Sequence, residues 1–199
     1  MKTTKLQLAE TAIRLFNEYG YEKTSVERIC KECNLTRAGF YHHFKAKEEI
    51  FFEYFSSIRS RAFSMLSEIL RITSPLEQLW TFFDVTLGIS EQALSPETIK
   101  QVLFLDLESD SLYITPYVLE KEQFSEYRDI LYTIIARGQK SGEIRMNSAP
   151  ENMVYSFLSG ATGITLSWAI SDGEFDCKTE IRRFFLTIFA SAPPSADRA

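Results

Sequence analysis

Residues 24–47 read TSVERICKECNLTRAGFYHHFKAK, and the rest of the chain takes its meaning from this stretch. It divides into two short helices joined by a tight turn. Thr24 opens the first, with Glu27 three residues on at capping-box spacing. Val26, Ile29, Cys30 and Cys33 then fall on one face at helical intervals. Asn34 breaks that pattern, because its side chain competes for main-chain hydrogen bonds and tolerates left-handed geometry. Thr36 is the expected N-cap of the second helix, which runs to about Phe44.

Leu35, Ala38 and Phe44 can face inward on this second helix. In about two turns, Thr36, Arg37, Gly39, Tyr41, His42 and His43 cannot all do so. What remains outside is a set of donors, rings and one glycine, with no acid among them. Such a face suits insertion into a DNA major groove, with main chain approaching at Gly39. Arg37 is the candidate for a base edge, and Tyr41 and the histidines for phosphates. The alternative, a solvated surface helix of mixed polarity, does not account for the tandem spacing or for the flanking Thr24 and Lys47.

Thr24-Ser25-Val26, together with the run from Leu35-Thr36-Arg37 through Phe40-Tyr41-His42-His43-Phe44 to Lys47-Glu48-Glu49, resembles the DNA-binding domain of TetR-family transcriptional regulators. The preceding Ala9, Ala12, Ile13, Leu15, Phe16, Gly20 and Tyr21 resemble the first helix of that family, so the likeness covers about residues 5–55. Position by position, it implies phosphate contacts at Thr24, Ser25, Tyr41 and Lys47. It implies groove-facing roles for Thr36, Arg37, Gly39 and His42, with His43 open to either. Many relatives carry Lys or Gln where this chain has Arg37. Arginine favours bidentate contact to guanine, so a different operator is expected.

Composition agrees with a small DNA-contacting end on an acidic body. Residues 1–50 hold nine Lys or Arg against seven Asp or Glu, a net of +2, and the remainder carries −7 of the overall −5. With so modest a basic excess, affinity must come from local phosphate contacts doubled in a dimer rather than from a broad patch. The 199 residues suffice for a sizeable core, and the 45% hydrophobic content is ordinary for a globular protein. MKTTK leads into an amphipathic helix rather than an apolar block, so no signal peptide is expected. No membrane span is expected either. The nearest candidate, residues 154–170, carries five Ser or Thr and reads as a buried helix. Three cysteines suggest a reducing compartment, and the expected location is the cytoplasm.

Elsewhere the chain reads as helices with clear punctuation. A first helix over about residues 3–19 carries an inward stripe of Leu6, Ala9, Ile13 and Phe16 and stops at Gly20. A fourth runs without interruption from about Ala46 to Ile72, about 40 Å, from the DNA-contacting end into the body. Ser74-Pro75, Ser95-Pro96 and Ser148-x-Pro150 open further helices, and Gly142 and Asp172-Gly173 close others. Another helix spans about Pro116 to Ser141, and a last one about Asp176 to Ala190. The expected fold is all-α with about nine helices. Residues 1–47 form a three-helix helix-turn-helix DNA-binding domain, 48–191 a helical ligand-binding and dimerisation domain, and 192–199 a disordered tail.

In the body, Ser156, Gly160, Gly163 and Ser167 form a strip of small residues, and Ile181, Phe184, Phe185 and Ile188 an apolar face on the last helix. Two such faces suggest a symmetric four-helix homodimer interface, which the resemblance also implies. Phe63, Trp80, Phe83, Phe104, Tyr113, Tyr117, Tyr132, Tyr155 and Trp168 are the candidate lining of a pocket for an apolar or aromatic effector. Plain core packing is the competing reading for each. The resemblance places that pocket between the fourth and seventh helices. Cys30 and Cys33 form a C-x-x-C read as structural, with zinc binding alongside His42 or His43, or a redox pair, as alternatives.

No nucleophile elbow, phosphate loop or dinucleotide fingerprint is present, and no catalytic residue, metal or cofactor is expected. The expected function is a DNA-binding transcriptional regulator, a repressor released from a palindromic operator by a small molecule. The alternative is a co-regulator or scaffold of the same fold that acts through protein contacts.

Overall fold

The computed structural model describes residues 4–88, 94–108 and 125–191, without the side chains of Ala62, Phe63, Asp106 and Glu108. The expected 192–199 tail lies outside the described residues. These residues form ten helices and no strand: α1 Lys5–Tyr19, α2 Val26–Glu32, α3 Arg37–His43, α4 Glu49–Ser64, α5 Leu66–Ile69, α6 Pro75–Leu87, α7 Pro96–Glu108, α8 Ser125–Ser141, α9 Pro150–Ile170 and α10 Cys177–Phe189. The all-helical expectation holds.

Local chemistry accounts for most boundaries. Thr4 caps α1 in a reciprocal capping box with Gln7, and Gly20, at φ 83°, ends it. Its buried stripe is Leu8, Ala9, Ala12, Ile13, Leu15 and Phe16, with Leu6 half-buried at the edge. The N-cap of α2 is Ser25, which accepts from Arg28 N, and not Thr24 one residue earlier. Asn34 takes the left-handed φ of 52° that turns the chain from α2 into α3. Ser74 and Pro75 start α6 as expected, and left-handed Gly88 ends it. The long fourth helix is not continuous: it stops at Ser64, and α5 restarts as a separate turn after Met65. This break accounts for ten helices where about nine were expected.

The buried residues form two clusters. One gathers α1–α4 around Phe16, Phe40, Phe44, Ile50 and Phe51, and draws in Val102, Leu94 and Leu105 at α7. The other gathers α6, α8, α9 and α10 around Phe83, Phe157, Phe185 and Phe189. Between them, α4 packs on both α1 and α6, and α7 on both α1 and α9. The loop after α8 is tied down beside the end of α10, where Arg145 N donates to Phe189 O at 2.9 Å. By length and composition α9 is apolar enough to cross a membrane. However, Met153, Val154, Phe157, Leu158, Ala161 and Ala169 are buried within the protein, as expected of a core helix.

Candidate nucleic-acid interface

Helix α3 is anchored by two rings. Phe40 and Phe44 are buried in the first core with centroids 5.6 Å apart, and Lys5 rests over Phe44 while pairing with Glu53 at 3.0 Å. With that face fixed, Thr36, Arg37, Tyr41 and His42 stand in solvent, and Gly39 and His43 are half-buried. Ala38, read from the sequence as inward, is exposed; Phe40 takes the interior position because its larger apolar surface is the one the core can cover. Thr36 accepts from Gly39 N at 3.1 Å, so its hydroxyl oxygen organises the first turn.

Arg37 is not left to wander. Its guanidinium lies 2.7 Å from the Glu27 carboxylate across the turn. A hydrogen bond with Tyr41 and the Glu27 charge both raise its pKa. The Glu27 carboxyl is held below its usual range, first by its own main chain and Ser25, then by Arg37. Glu27 therefore sits beside the candidate base reader, a relation that spacing alone does not reveal because it crosses from one helix to the next.

Two expected phosphate contacts are corrected. Thr24 is fully buried, and its hydroxyl donates to Gly20 O at 2.8 Å and Leu15 O at 3.3 Å. It closes the α1–α2 loop and cannot reach a phosphate. The Lys47 ammonium donates to Tyr21 O at 2.8 Å and Thr24 O at 3.2 Å and lies 3.7 Å from the Tyr21 ring centroid. Desolvation lowers its pKa. Lys47 is a strut between the start of α4 and the α1–α2 loop, and Tyr21 returns the tie by donating to Glu48 at 2.7 Å. The exposed candidates for DNA are thus Ser25, Thr36, Arg37, Tyr41 and His42, flanked by Gly39 and His43.

Cys30 is buried, its thiol donates to Thr36 O at 3.6 Å, and burial raises its pKa. It links α2 to the α3 N-cap. Cys33 is half-buried.

A cavity of about 150 Å³ opens where the two cores meet. Its walls are Tyr54, Phe55, Ile58 and Arg59 of α4, the α6 end at Thr86–Gly88, Leu94 and Ile99, Leu158 to Trp168 on α9, and Cys177, Lys178 and Ile181 of α10. Among the described residues of the nine aromatics expected there, Trp168 alone is in the lining. Phe83 is consumed by the second core, 4.5 Å from Phe157. Trp80 packs tilted against Phe185, with ring centroids 5.3 Å apart, and lies under Arg182. Phe104 and Tyr155 are exposed, and Tyr132 packs at the edge of the second core. Tyr113, Tyr117 and the Phe63 side chain lie outside the described residues. Arg59, Thr162, Thr165 and Lys178 escape a search for aromatic side chains: beside Tyr54, Phe55 and Trp168, the described walls are aliphatic with a polar fringe.

The expected dimer faces are partly redirected. Ile181 and Phe185 are buried within the protomer, where the second core needs their apolar area. Gly160 lies directly under the Phe184 ring of its own chain, so its missing side chain serves α9–α10 packing. Ile188 also packs against that core. A Cβ placed on Gly163 would meet open space among the described residues, and Ser156, Ser167, Tyr155, Leu166 and Ile170 are exposed alongside it.

Comparison with known proteins agrees with this arrangement. A family model described as "Bacterial regulatory proteins, tetR family" matches residues 8–54. The chain is 24% identical over 163 residues to the HTH-type transcriptional repressor KstR2 of Mycolicibacterium smegmatis, covering 81% of this chain and 77% of that one. It is 26% identical over 178 residues to the probable acrEF/envCD operon repressor of Escherichia coli K12, covering 87% and 79%. In three dimensions it is similar to Thermus thermophilus FadR, a TetR-family repressor solved in complex with lauroyl-CoA, at a TM-score of 0.58 and 18% identity over 98% of this chain and 100% of that one. Residues 8–54, which hold the helix-turn-helix of α2 and α3, thus match the TetR-family DNA-binding region, and the chain as a whole is similar to TetR-family transcriptional regulators.

Proposed function

We propose that the protein is a homodimeric repressor whose two α3 helices enter successive major grooves of a palindromic operator. A small, largely apolar ligand in the cavity then loosens that hold. The observation that carries the reading is the position of the cavity. Tyr54 and Ile58 are buried in the core that supports α3 and also line the cavity, while Leu158, Ala161, Cys177 and Ile181 do the same for the second core. A ligand there touches the supports of the reading head directly. Residues 1–47 act as that head and 48–191 as the body. The exposed strip around Gly163, Leu166 and Ile170 meets its symmetry mate, and the molecule works in the cytoplasm. That Thermus thermophilus FadR was solved in complex with lauroyl-CoA supports a ligand-responsive reading by analogy alone.

The test is operator binding. Fragments selected from genomic DNA are titrated with the protein, alone and with metabolite fractions. Tight, salt-dependent binding that one fraction reverses is expected. Sequence-specific binding that no fraction alters would favour the co-regulator reading.

A further inference from the structure

Helix α3 carries no acid of its own, yet one stands at its edge: Glu27, supplied by the first turn of α2. Its carboxylate lies 2.7 Å from the Arg37 guanidinium, and both side chains are more than half exposed. Each member of the pair is also held from its own side. The Glu27 main chain and the Ser25 hydroxyl hydrogen-bond the carboxylate and keep it ionised. Tyr41, one turn along α3, hydrogen-bonds the guanidinium. The acid at the other end of α2, Glu32, is turned elsewhere and pairs with Arg14 of α1 at 2.6 Å. Provided that α3 is the reading helix, a fixed anion at this edge approaches a duplex lined with phosphates, and like charges set side by side at an interface are costly. Once Arg37 leaves it for a base, the carboxylate needs a donor on the DNA.

The major groove supplies that donor in the right place. A G·C pair presents, side by side, the N7 and O6 acceptors of guanine and the N4 amino donor of cytosine. O6 and N4 share a Watson–Crick hydrogen bond and so stand about 2.9 Å apart, close to the 2.7 Å between the two side chains. A guanidinium with a carboxylate beside it therefore matches this edge group for group. Two donors meet N7 and O6, and an acceptor meets N4. An A·T pair presents acceptor, donor, acceptor, which sets donor against donor and carboxylate against carbonyl oxygen. We propose that Glu27 is a specificity-determining residue: on operator binding the Glu27–Arg37 ion pair is exchanged for contacts to one G·C pair, Arg37 to the guanine and Glu27 to the cytosine N4 amino group.

The experiment uses the full-length protein. Duplexes are selected from a randomised pool, and the base pair whose preference Arg37→Ala relaxes is located. At that pair cytosine is replaced by N4-methylcytosine, which still pairs with guanine but carries a methyl group where the groove-facing N4 hydrogen stood. Affinity is read by fluorescence anisotropy. The parent is expected to lose about tenfold, the strength of a charge-assisted hydrogen bond. Glu27→Gln keeps an acceptor at the same reach and should retain a loss. Glu27→Met keeps the length and bulk without an oxygen, and should bind the two duplexes equally. 7-Deazaguanine at the partner base removes the N7 acceptor and should weaken the parent and Glu27→Met alike, because Arg37 remains in both. A parent that ignores the methyl group overturns the proposal and leaves Glu27 as a tether for Arg37 in the free protein. So does a Glu27→Met variant that keeps the full loss, an A·T pair selected at that position, or an Arg37→Ala variant that relaxes no position. A parent that selects no sequence at all defeats the DNA-reading role of α3 itself. One that selects a sequence but is blind to the methyl group sinks the role of Glu27 alone.

Discussion

At the scale of single residues, the reading head shows how a side chain's chemistry is legible while its partner is not. Arg37 is exposed on a helix whose other face is pinned by Phe40 and Phe44, and its guanidinium is held by Glu27. To reach a base edge it must exchange that carboxylate for the base. Arg37→Ala should therefore relax preference at one position of each half-site and leave the others unchanged in a selection experiment. Glu27→Gln should strengthen binding to operator and non-operator DNA alike, since it frees the guanidinium and removes a negative charge from the approach path. Unaltered preference in Arg37→Ala would remove Arg37 from the readout. Lys47 teaches the opposite lesson. A cation in the first turn of a helix looked misplaced and therefore available for phosphate. Its partners are main-chain carbonyls of Tyr21 and Thr24, more than twenty residues away, and no pattern of residue types can announce a carbonyl brought in by the fold. Lys47→Met should lower stability by about 2 kcal/mol, the strength of a lost charge-assisted hydrogen bond, and shift the melting midpoint down by several degrees. An unchanged midpoint would return Lys47 to the phosphate role.

At the scale of elements, capping chemistry was the most transferable signal. Ser74-Pro75, Ser95-Pro96 and Asp176 start helices where the side chains demand it, and Gly20, Gly88 and Gly142 stand at positive φ where helices end. Burial was less legible, because a periodic face says that something covers it but not what. Gly160 is the clearest instance: the strip it belongs to suggested a second protomer, whereas its own Phe184 lies on it. Gly138 carries a similar close approach that the pattern concealed. A methyl there would overlap Ile144, which is fully buried and held by the Gly138 carbonyl through its own N–H at 3.0 Å. Because Ile144 cannot retreat, Gly138→Ala should cost about 1–3 kcal/mol by overpacking, read as a lowered denaturation midpoint. The exposed strip of α9 makes a separate prediction. Leu166 is 42% exposed and Ile170 67%, one turn apart beside open Gly163. Leu166→Glu should yield monomers in sedimentation velocity, and a persistent dimer would place the interface on another face.

At the scale of the whole molecule, the two cores are joined by polar contacts as well as by shared helices. Asn17, near the end of α1, accepts from Ser95 N at 2.8 Å and from the Thr98 hydroxyl at 2.9 Å, at the start of α7. Thr98 is fully buried, and Ser95 in turn accepts from Thr98 N at 3.2 Å, so the junction is built into the cap of α7 itself. The same helix is tied to the far end of α9, where Lys100 lies 2.6 Å from Asp172, and its Ile99 lines the cavity. A ligand that repositions α9 or Ile99 thus pulls on α7, and α7 holds α1 through a side-chain carbonyl oxygen that has two donors. Thr98→Val keeps the shape, removes one of those donors and leaves operator contacts untouched. Operator affinity without ligand should change little. The ratio of affinities without and with ligand, ordinarily worth about 1–3 kcal/mol of coupling, should fall toward unity. The measurement is one pair of operator titrations, parent and variant, each at zero and saturating ligand. If the ratio is preserved while Thr98→Val folds normally, the signal must travel through α4 alone, by way of Tyr54 and Ile58, and the α7 junction is only a structural seam.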